Sequence, residues 1–364
     1  MDSYERFIRA LDFEEPDRTP IFDSFHNEGI VRAVGGTGSP DEVIPRAYRA
    51  FGMDISFQGI WDPVEDRTLE RTWEDRNYGN IIFDKSFKYR YMSWGSGCEH
   101  SEGLVGRPYN TLDDLDHMGM ELRHTEDELV ELCASHYDAC KKAYGRYGVV
   151  KIGCGAPIID SIPRMLGWGL YSRAIRKAKH IITGIMDLRM IEARADIRGY
   201  VEADAGPAYL VAEDIADKHG LMHSIQFLRD EWLPRMKEAI YPAIKAGVAI
   251  IYHSEGNTEA ILPDLINAGI RGLNPLEPFS MDLGLVKEKF GDRLMLTGGI
   301  DNGYLLQNGT RSDVMRETRE CIRKAAPGSG YCPGSSGELN PNTPIENASA
   351  MYDAIRRYGS YPVR

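Results

Sequence analysis

The sequence predicts an α/β fold, a (β/α)8 TIM barrel with a long hairpin-containing insertion after strand 2, and three observations carry the prediction. Short β-rich runs are spread along all 364 residues, helical stretches lie between most of them, and no linker, repeat or low-complexity tract divides the chain. Strand–helix alternation reads as a parallel sheet with crossover helices, and about eight such units favour closure into a barrel over an open sheet. The expectation is one barrel domain over residues 1–364.

The elements follow in order. A helix over about residues 3–13 leads into Thr19-Pro20-Ile21-Phe22-Asp23, and one over about 41–51 leads into Asp54-Ile55-Ser56-Phe57-Gln58. A long helical stretch from near Thr125 precedes Gly148-Val149-Val150-Lys151-Ile152. Ala208-Tyr209-Leu210-Val211, Val248-Ala249-Ile250-Ile251-Tyr252 and Gly272-Leu273-Asn274 continue the series. Leu294-Met295-Leu296-Thr297 and Gly330-Tyr331-Cys332 end it. The insertion, roughly residues 61–127, holds two β-like pieces, Asn80-Ile81-Ile82-Phe83 and Tyr89-Arg90-Tyr91-Met92-Ser93-Trp94. They read as a hairpin joined by a short polar turn, with a Gly-rich loop after it. Because it follows a strand, the insertion is expected to cover the C-terminal mouth of the barrel, where active sites are built.

Composition removes several function classes. Hydrophobic residues make up 42% and charged residues 27%, the balance of a soluble globular protein. A net charge of −12 disfavours nucleic acid, whose phosphates need a basic face, and an anionic membrane surface. No apolar run approaches the roughly 18 residues that span a bilayer. The amino terminus opens directly on an amphipathic pattern, so no secretory signal is expected. The six cysteines have no short paired spacing and read as free thiols in a reducing cytoplasm.

In a barrel, residues just past each strand converge on one mouth. Asp23, His26, Asn27 and Glu28 follow the first strand, Trp61 and Asp62 the second, and Cys154 the third. Glu213-Asp214 follow the fourth and His253-Ser254-Glu255-Gly256-Asn257 the fifth, with Asn274 and Glu277 after the sixth. Asp301 and Asn302 come after the seventh, and Cys332, Ser335 and Ser336 after the eighth. The sharpest piece is His253-x-Glu255, since residues two apart in an extended chain point the same way and could reach one metal ion. An imidazole with a carboxylate suits zinc, and Glu213, Asp214, Glu277 or Cys332 could complete the shell. His253 could equally bind substrate or cap a helix, and Cys332 could be a small apolar strand residue. Cys154 either lines the mouth or packs. Asp214 and Glu213 are candidates for acid–base work, with His26 beside them, because adjacent carboxylates in a mouth push one pKa upward. Phe25, Trp61 and Trp168 are candidates for an aromatic pocket. No P-loop lysine, dinucleotide fingerprint or Gly-x-Ser-x-Gly elbow is present.

Several segments together resemble the uroporphyrinogen decarboxylase superfamily. They are Arg6-Phe7 through Glu14-Glu15-Pro16-Asp17-Arg18-Thr19-Pro20, His253 through Leu265, Gly272 through Pro278, Phe290 through Asp301, and Pro344-Ile345-Glu346-Asn347 with Met351 and Tyr358-Gly359. The resemblance implies a barrel enzyme, either a decarboxylase or a methyltransferase working with a corrinoid protein. The decarboxylases carry an Arg-rich segment after strand one, whereas Ile21-Phe22-Asp23-Ser24-Phe25-His26-Asn27-Glu28 has no arginine and would repel a polycarboxylate. Thiol-methylating members hold zinc on a His-x-Cys pair plus a distal Cys. Here Glu255 stands in the Cys position and the distal position falls near Ser335, with Cys332 close by.

The expected function is therefore a corrinoid-dependent O-demethylase component, which moves the methyl group of an aryl methyl ether to the cobalt of a separate corrinoid protein. A metal or an acid would activate the ether oxygen. On this reading His253, Glu255, Glu277 and Cys332 hold zinc, and Asp214, Glu213 and His26 are catalytic. Phe25, Asn27, Trp61, Cys154, Trp168 and Asn274 bind substrate. The partners expected are a corrinoid protein in trans, a small-molecule methyl donor and a second copy of the chain. The alternative is a decarboxylase acting on a small or tetrapyrrole carboxylate.

Overall fold

A computed structural model describes residues 1–57, 72–94 and 99–363. The first strand, β1 (Ile55–Ser56), is followed by β2 (Thr72–Tyr78), β3 (Ile81–Trp94), β4 (Glu99–Gly106) and β5 (Met120–Leu122). Then come β6 (Val150–Lys151), β7 (Gly153–Gly155) and β8 (Ala208–Ala212), and a small pair, β9 (Ala216–Asp217) and β10 (Gly220–Leu221). The series ends with β11 (Ala249–His253), β12 (Ile270–Leu276), β13 (Met295–Ile300) and β14 (Tyr331–Ser335). A parallel sheet runs in the order β14-β13-β12-β11-β8-β7, and β1 pairs in parallel with β6, one residue short of β7. The segment Ile21–Phe22 has backbone contacts on both sides. Phe22 bridges Ile55 in parallel, and its N–H points to the Pro333 carbonyl of β14 at 3.5 Å.

Strand alternation sorts the apolar side chains into two layers. Ala208 and Leu210 of β8, Ala249 and Ile251 of β11, Met295 and Cys332 join an inner cluster with Phe22, Ile55 and Ile152. Their neighbours Tyr209, Val211, Ile250, Tyr252, Leu273 and Leu296 face outward into the helical layer. Burial on both faces explains why these strands read as nearly continuous apolar runs. The helix Ser3–Leu11, capped by the Asp2 side chain on the Glu5 N–H at 2.8 Å, lays Phe7, Ala10 and Leu11 on the inner cluster. Burial of Phe7 alone contributes about 1.5–3 kcal/mol. Arg6 pins this plug by bonding Asp17 at 2.7 Å and Asp54 at 2.6 Å. One end of the strands is thereby filled, and the end where the strands terminate is left for chemistry.

On the outside, helix Lys179–Glu202 packs between Glu126–Gly145 and Leu233–Lys245. Helix Glu126–Gly145 starts at a capping box of Thr125 and Glu128. Among the described residues no helix is long and apolar enough to cross a membrane. Cys133, Cys140, Cys154, Cys321 and Cys332 form no disulfide among the described residues.

The insertion differs from the expected hairpin. Asn80–Phe83 and Tyr89–Trp94 are not two strands about a polar turn: residues 81–94 form the single strand β3, which pairs antiparallel with β2 on one edge and with β4 and β5 on the other. The turn falls instead at Gly79-Asn80, between the paired residues Tyr78 and Ile81. Gly79 supplies a φ of 66° there, whereas Asp84-Lys85-Ser86 has no glycine. That run stays extended and exposed, between buried Phe83 and Phe87.

Candidate active site

β11 is anchored by parallel pairing to β8 and β12, which places its last residue, His253, opposite Ala212 and Asn274. Counting inward from Ile251, His253 faces the interior, and its ring is fixed there. Asn274 donates through Nδ2 to Thr297 Oγ1 at 2.5 Å, so its Oδ1 is left to accept from His253 Nδ1 at 2.6 Å. Nδ1 therefore carries a proton, and Nε2 is the ring nitrogen turned to the mouth, with a lone pair to offer when the ring is neutral. There it lies 3.9 Å from Asp214 Oδ1.

Carboxylates crowd the same place. Asp214 Oδ1 accepts the Glu255 N–H at 3.0 Å, and its Oδ2 meets Arg164 at 3.4 Å. Arg164 also pairs with Asp160 at 2.9 Å. Glu277 accepts the Gly256 N–H at 2.6 Å and the Ser280 hydroxyl at 3.0 Å. Desolvation in this concavity, with Asp214, Glu277 and Glu338 nearby, pushes the Glu255 carboxyl up to about 7. Desolvation also raises Asp160 to about 6, against the pull of Arg164. A Cβ on Gly337 would come within 2.7 Å of Asn302 Nδ2, so the missing side chain lets the loop after β14 pass close to Asn302, while Glu255 Oε1 lies at ordinary contact distance, 3.4 Å, from the same point.

The expected site residues are distributed as follows. His253, Asn274, Asp214, Glu255 and Glu277 come together through the contacts above. His26 stands on the rim, half exposed, with Nδ1 3.6 Å from Glu338. Glu213 does not join its neighbour Asp214, because consecutive residues leave β8 on opposite sides. It is buried in the outer layer, where it accepts N–H bonds from Ile158 at 2.7 Å, Asp160 at 3.2 Å and Ile159, and from the Trp232 indole at 2.7 Å. Cys332 does not stand with His253 and Glu255. It is fully buried in the inner apolar cluster with its sulfur 3.6 Å from that of Met295, and burial drives its thiol well above the ordinary range.

Phe25 is not in the mouth either. It packs in the outer core against Tyr48 and Phe51. Asn27 caps helix Glu28–Gly35 through the Ile30 N–H at 2.9 Å and donates to the carbonyls of Asn340, Pro341 and Thr343. Cys154 packs against the inner cluster, and burial pushes its thiol up to about 12. Trp168 is 49% exposed at the start of helix Trp168–Lys177. Trp61 lies outside the described residues.

Sequence reading missed Asp160, Arg164 and Glu338. Glu338 was open to detection as a charge just past the eighth strand. Asp160 and Arg164 sit beyond Gly155-Ala156-Pro157, six and ten residues after Cys154, where no local pattern marks a return to the mouth.

Among the described residues no group of three or more His, Cys, Asp or Glu side chains is assembled to hold a metal ion. The donor chemistry nevertheless suits a borderline cation at His253 Nε2 and Asp214, with Glu255 tied to them by its backbone. The imidazole has the correct tautomer, and the surrounding negative charge is only partly balanced by Arg164.

The parallel sheet, the packed plug and the polar mouth define an α/β fold with a candidate site where its strands end. Residues 202–358, from just before β8 to the last helix, match the family model described as uroporphyrinogen decarboxylase (URO-D), and the resemblance read from the sequence stands for that part of the chain. Uroporphyrinogen decarboxylase of Coxiella burnetii (strain RSA 493 / Nine Mile phase I) is 28% identical over 80 residues, 22% of this chain and 22% of that one. The match thus spans about a fifth of the length of the curated relatives. A solved methyltransferase from Methanosarcina mazei superposes over 98% of this chain and 99% of its own, with a TM-score of 0.68 and 16% identity. The two share a fold.

Proposed function

We propose that the chain is a methyltransferase that takes the methyl group of an aryl methyl ether and passes it to a corrinoid carried by a separate protein. The observation that carries this reading is the Thr297–Asn274–His253 chain, which aims an imidazole lone pair at Asp214 in a mouth of carboxylates. The fold shared with the Methanosarcina methyltransferase supports it, as does the arginine-free segment after the first strand. The backbone contacts on both sides of Ile21–Phe22 support closure of the strands into a single (β/α)8 barrel, with the β2–β5 sheet as an insertion beside its mouth.

An aryloxide is a poor leaving group until its oxygen is protonated or bound by a Lewis acid. Zinc held by His253 Nε2 and Asp214, the two donors the site brings together, would polarise that oxygen. Asn274 keeps the imidazole in its binding tautomer, and Arg164 orients Asp214 from the far side. A second reading rests on Glu255 itself: with its carboxyl raised to about 7, it can hold the proton that the leaving oxygen needs.

Elemental analysis of the wild type, combined with methylation of a reduced corrinoid protein by methoxylated aromatics, tests the proposal. About one zinc per chain together with methyl transfer supports the metal form. Transfer without metal, declining as pH rises through about 7, assigns the step to Glu255. No transfer from any aryl methyl ether under reducing conditions would sink the function.

Asn274→Ala supplies a further check. It should weaken zinc binding by roughly 10–100-fold in a chelator competition, because the ring loses the acceptor that fixes its tautomer. Unchanged affinity would remove Asn274 from this role.

A further inference from the structure

Beside the mouth, a cleft of ≈ 950 Å³ opens between the antiparallel sheet and the segment Pro163–Trp168. Its walls combine flat aromatic surface with positive charge. Trp73 of β2 and Tyr89 of β3 stack with centroids 5.6 Å apart and planes within 18°, and Trp168 faces the cleft from the other side. Arg107, Arg123 and Arg164 line it as well, a concentration of cations on a chain of net charge −12.

Among the described residues, two of these arginines have donor capacity to spare. Arg107 uses Nε and Nη2 on the Arg164 carbonyl, at 3.1 and 3.0 Å, and among the described residues Nη1 is left for a ligand. Arg123 is exposed, and among the described residues its side chain pairs with no carboxylate. The acidic residue of the lining, Asp75, already accepts from the Asn77 N–H at 3.0 Å and from Asn77 Nδ2 at 3.2 Å. Arg164 belongs to both places: it lines the cleft while its guanidinium contacts Asp160 and Asp214, and Asp214 lies 3.9 Å from His253 Nε2.

We infer that this cleft is a binding subsite for an aromatic carboxylate. The ring lies against the Trp73–Tyr89 wall, and the acid group sits on Arg107 and Arg123. A concave wall of arginines favours a carboxylate both by charge and by forked hydrogen bonding. Resting on the methyl-ether reading above, the inference makes the methyl donor a methoxylated benzoate whose ether end points towards Arg164 and Asp214.

Calorimetric titration of the full chain with 4-methoxybenzoate, benzoate and methoxybenzene tests this without any catalytic step. Both acids should bind, and methoxybenzene should bind at least about tenfold more weakly. Arg107→Ala and Arg123→Ala should each weaken the acids by about tenfold or more and leave methoxybenzene unaffected. Should Arg107→Ala fail to fold for want of its bond to the Arg164 carbonyl, the exposed Arg123 carries the test. Acids that bind no better than methoxybenzene, or as tightly to Arg123→Ala as to wild type, would overturn the subsite. So would tighter binding of a tetrapyrrole tetracarboxylate than of 4-methoxybenzoate. The predicted titrations with no methyl transfer from 4-methoxybenzoate would support the subsite and overturn the methyl-ether reading alone.

Discussion

His253→Ala is expected to abolish methyl transfer, a loss of at least about 10²-fold, while the thermal midpoint stays within about 2 °C of wild type. The expectation follows from how the side chain is held. Its Nδ1 is committed to Asn274, and its Nε2 is turned away from the core into the mouth beside Asp214. Removing the ring takes away the one donor atom the surrounding bonds are arranged to present. Little packing is lost, and the space left at the mouth is accessible to water, which can satisfy Asn274. Single-turnover methylation of a reduced corrinoid protein measures the loss, and turnover close to that of wild type would exclude His253 from the chemistry.

Glu213→Ala should do the opposite, unsettling the fold while sparing the mouth. The carboxylate ties the backbone of Ile158, Ile159 and Asp160 to the Trp232 indole, and its loss leaves four N–H donors without their acceptor in a dry layer. With buried unsatisfied donors costing about 1–3 kcal/mol each and some relaxation, the expected destabilisation is on the order of 3–5 kcal/mol, or roughly 4–7 °C for a chain of this size. Turnover per folded molecule should change far less.

The same residue predicts a pH dependence. Burial raises the Glu213 carboxyl to about 7 against the pull of its N–H donors, and burial raises Asp23 to about 6. A carboxyl whose folded pKa lies above its unfolded one favours the folded state most when protonated. Its contribution is complete below the unfolded value of about 4.5 and is lost as pH rises through about 7. The protein should therefore be more stable at pH 5 than at pH 8, with Glu213 accounting for on the order of 2–3 kcal/mol. Thermal midpoints across that range, compared with those of Glu213→Gln, test the assignment; parallel profiles for the two proteins would refute it.

The strands and the polar residues at their ends were legible in the sequence because both are local. Apolar runs bounded by turn formers place Ala208–Val211, Val248–Tyr252 and Leu294–Thr297 where β8, β11 and β13 lie, and His253, Asn274 and Glu277 follow from them. Direction was not legible. In Ala208-Tyr209-Leu210-Val211-Ala212 both faces are buried, so every position is apolar and the alternation that would tell inside from outside is silent. Only the packed structure shows that Asp214 faces the mouth and Glu213 the helices. Cys332 was misplaced for a related reason: its height in the interior depends on the register between β13 and β14, which no run of neighbouring residues records. The cleft was hidden more deeply still, since Trp73, Arg107, Arg123 and Arg164 lie in separate segments that meet only when the antiparallel sheet settles beside the helices. The sequence by itself determined which elements form, the family resemblance and which chemical groups end the strands, because those rest on short-range pattern. Tertiary structure alone decided which of those groups share one space, because that depends on strand register and on packing between segments far apart in the chain.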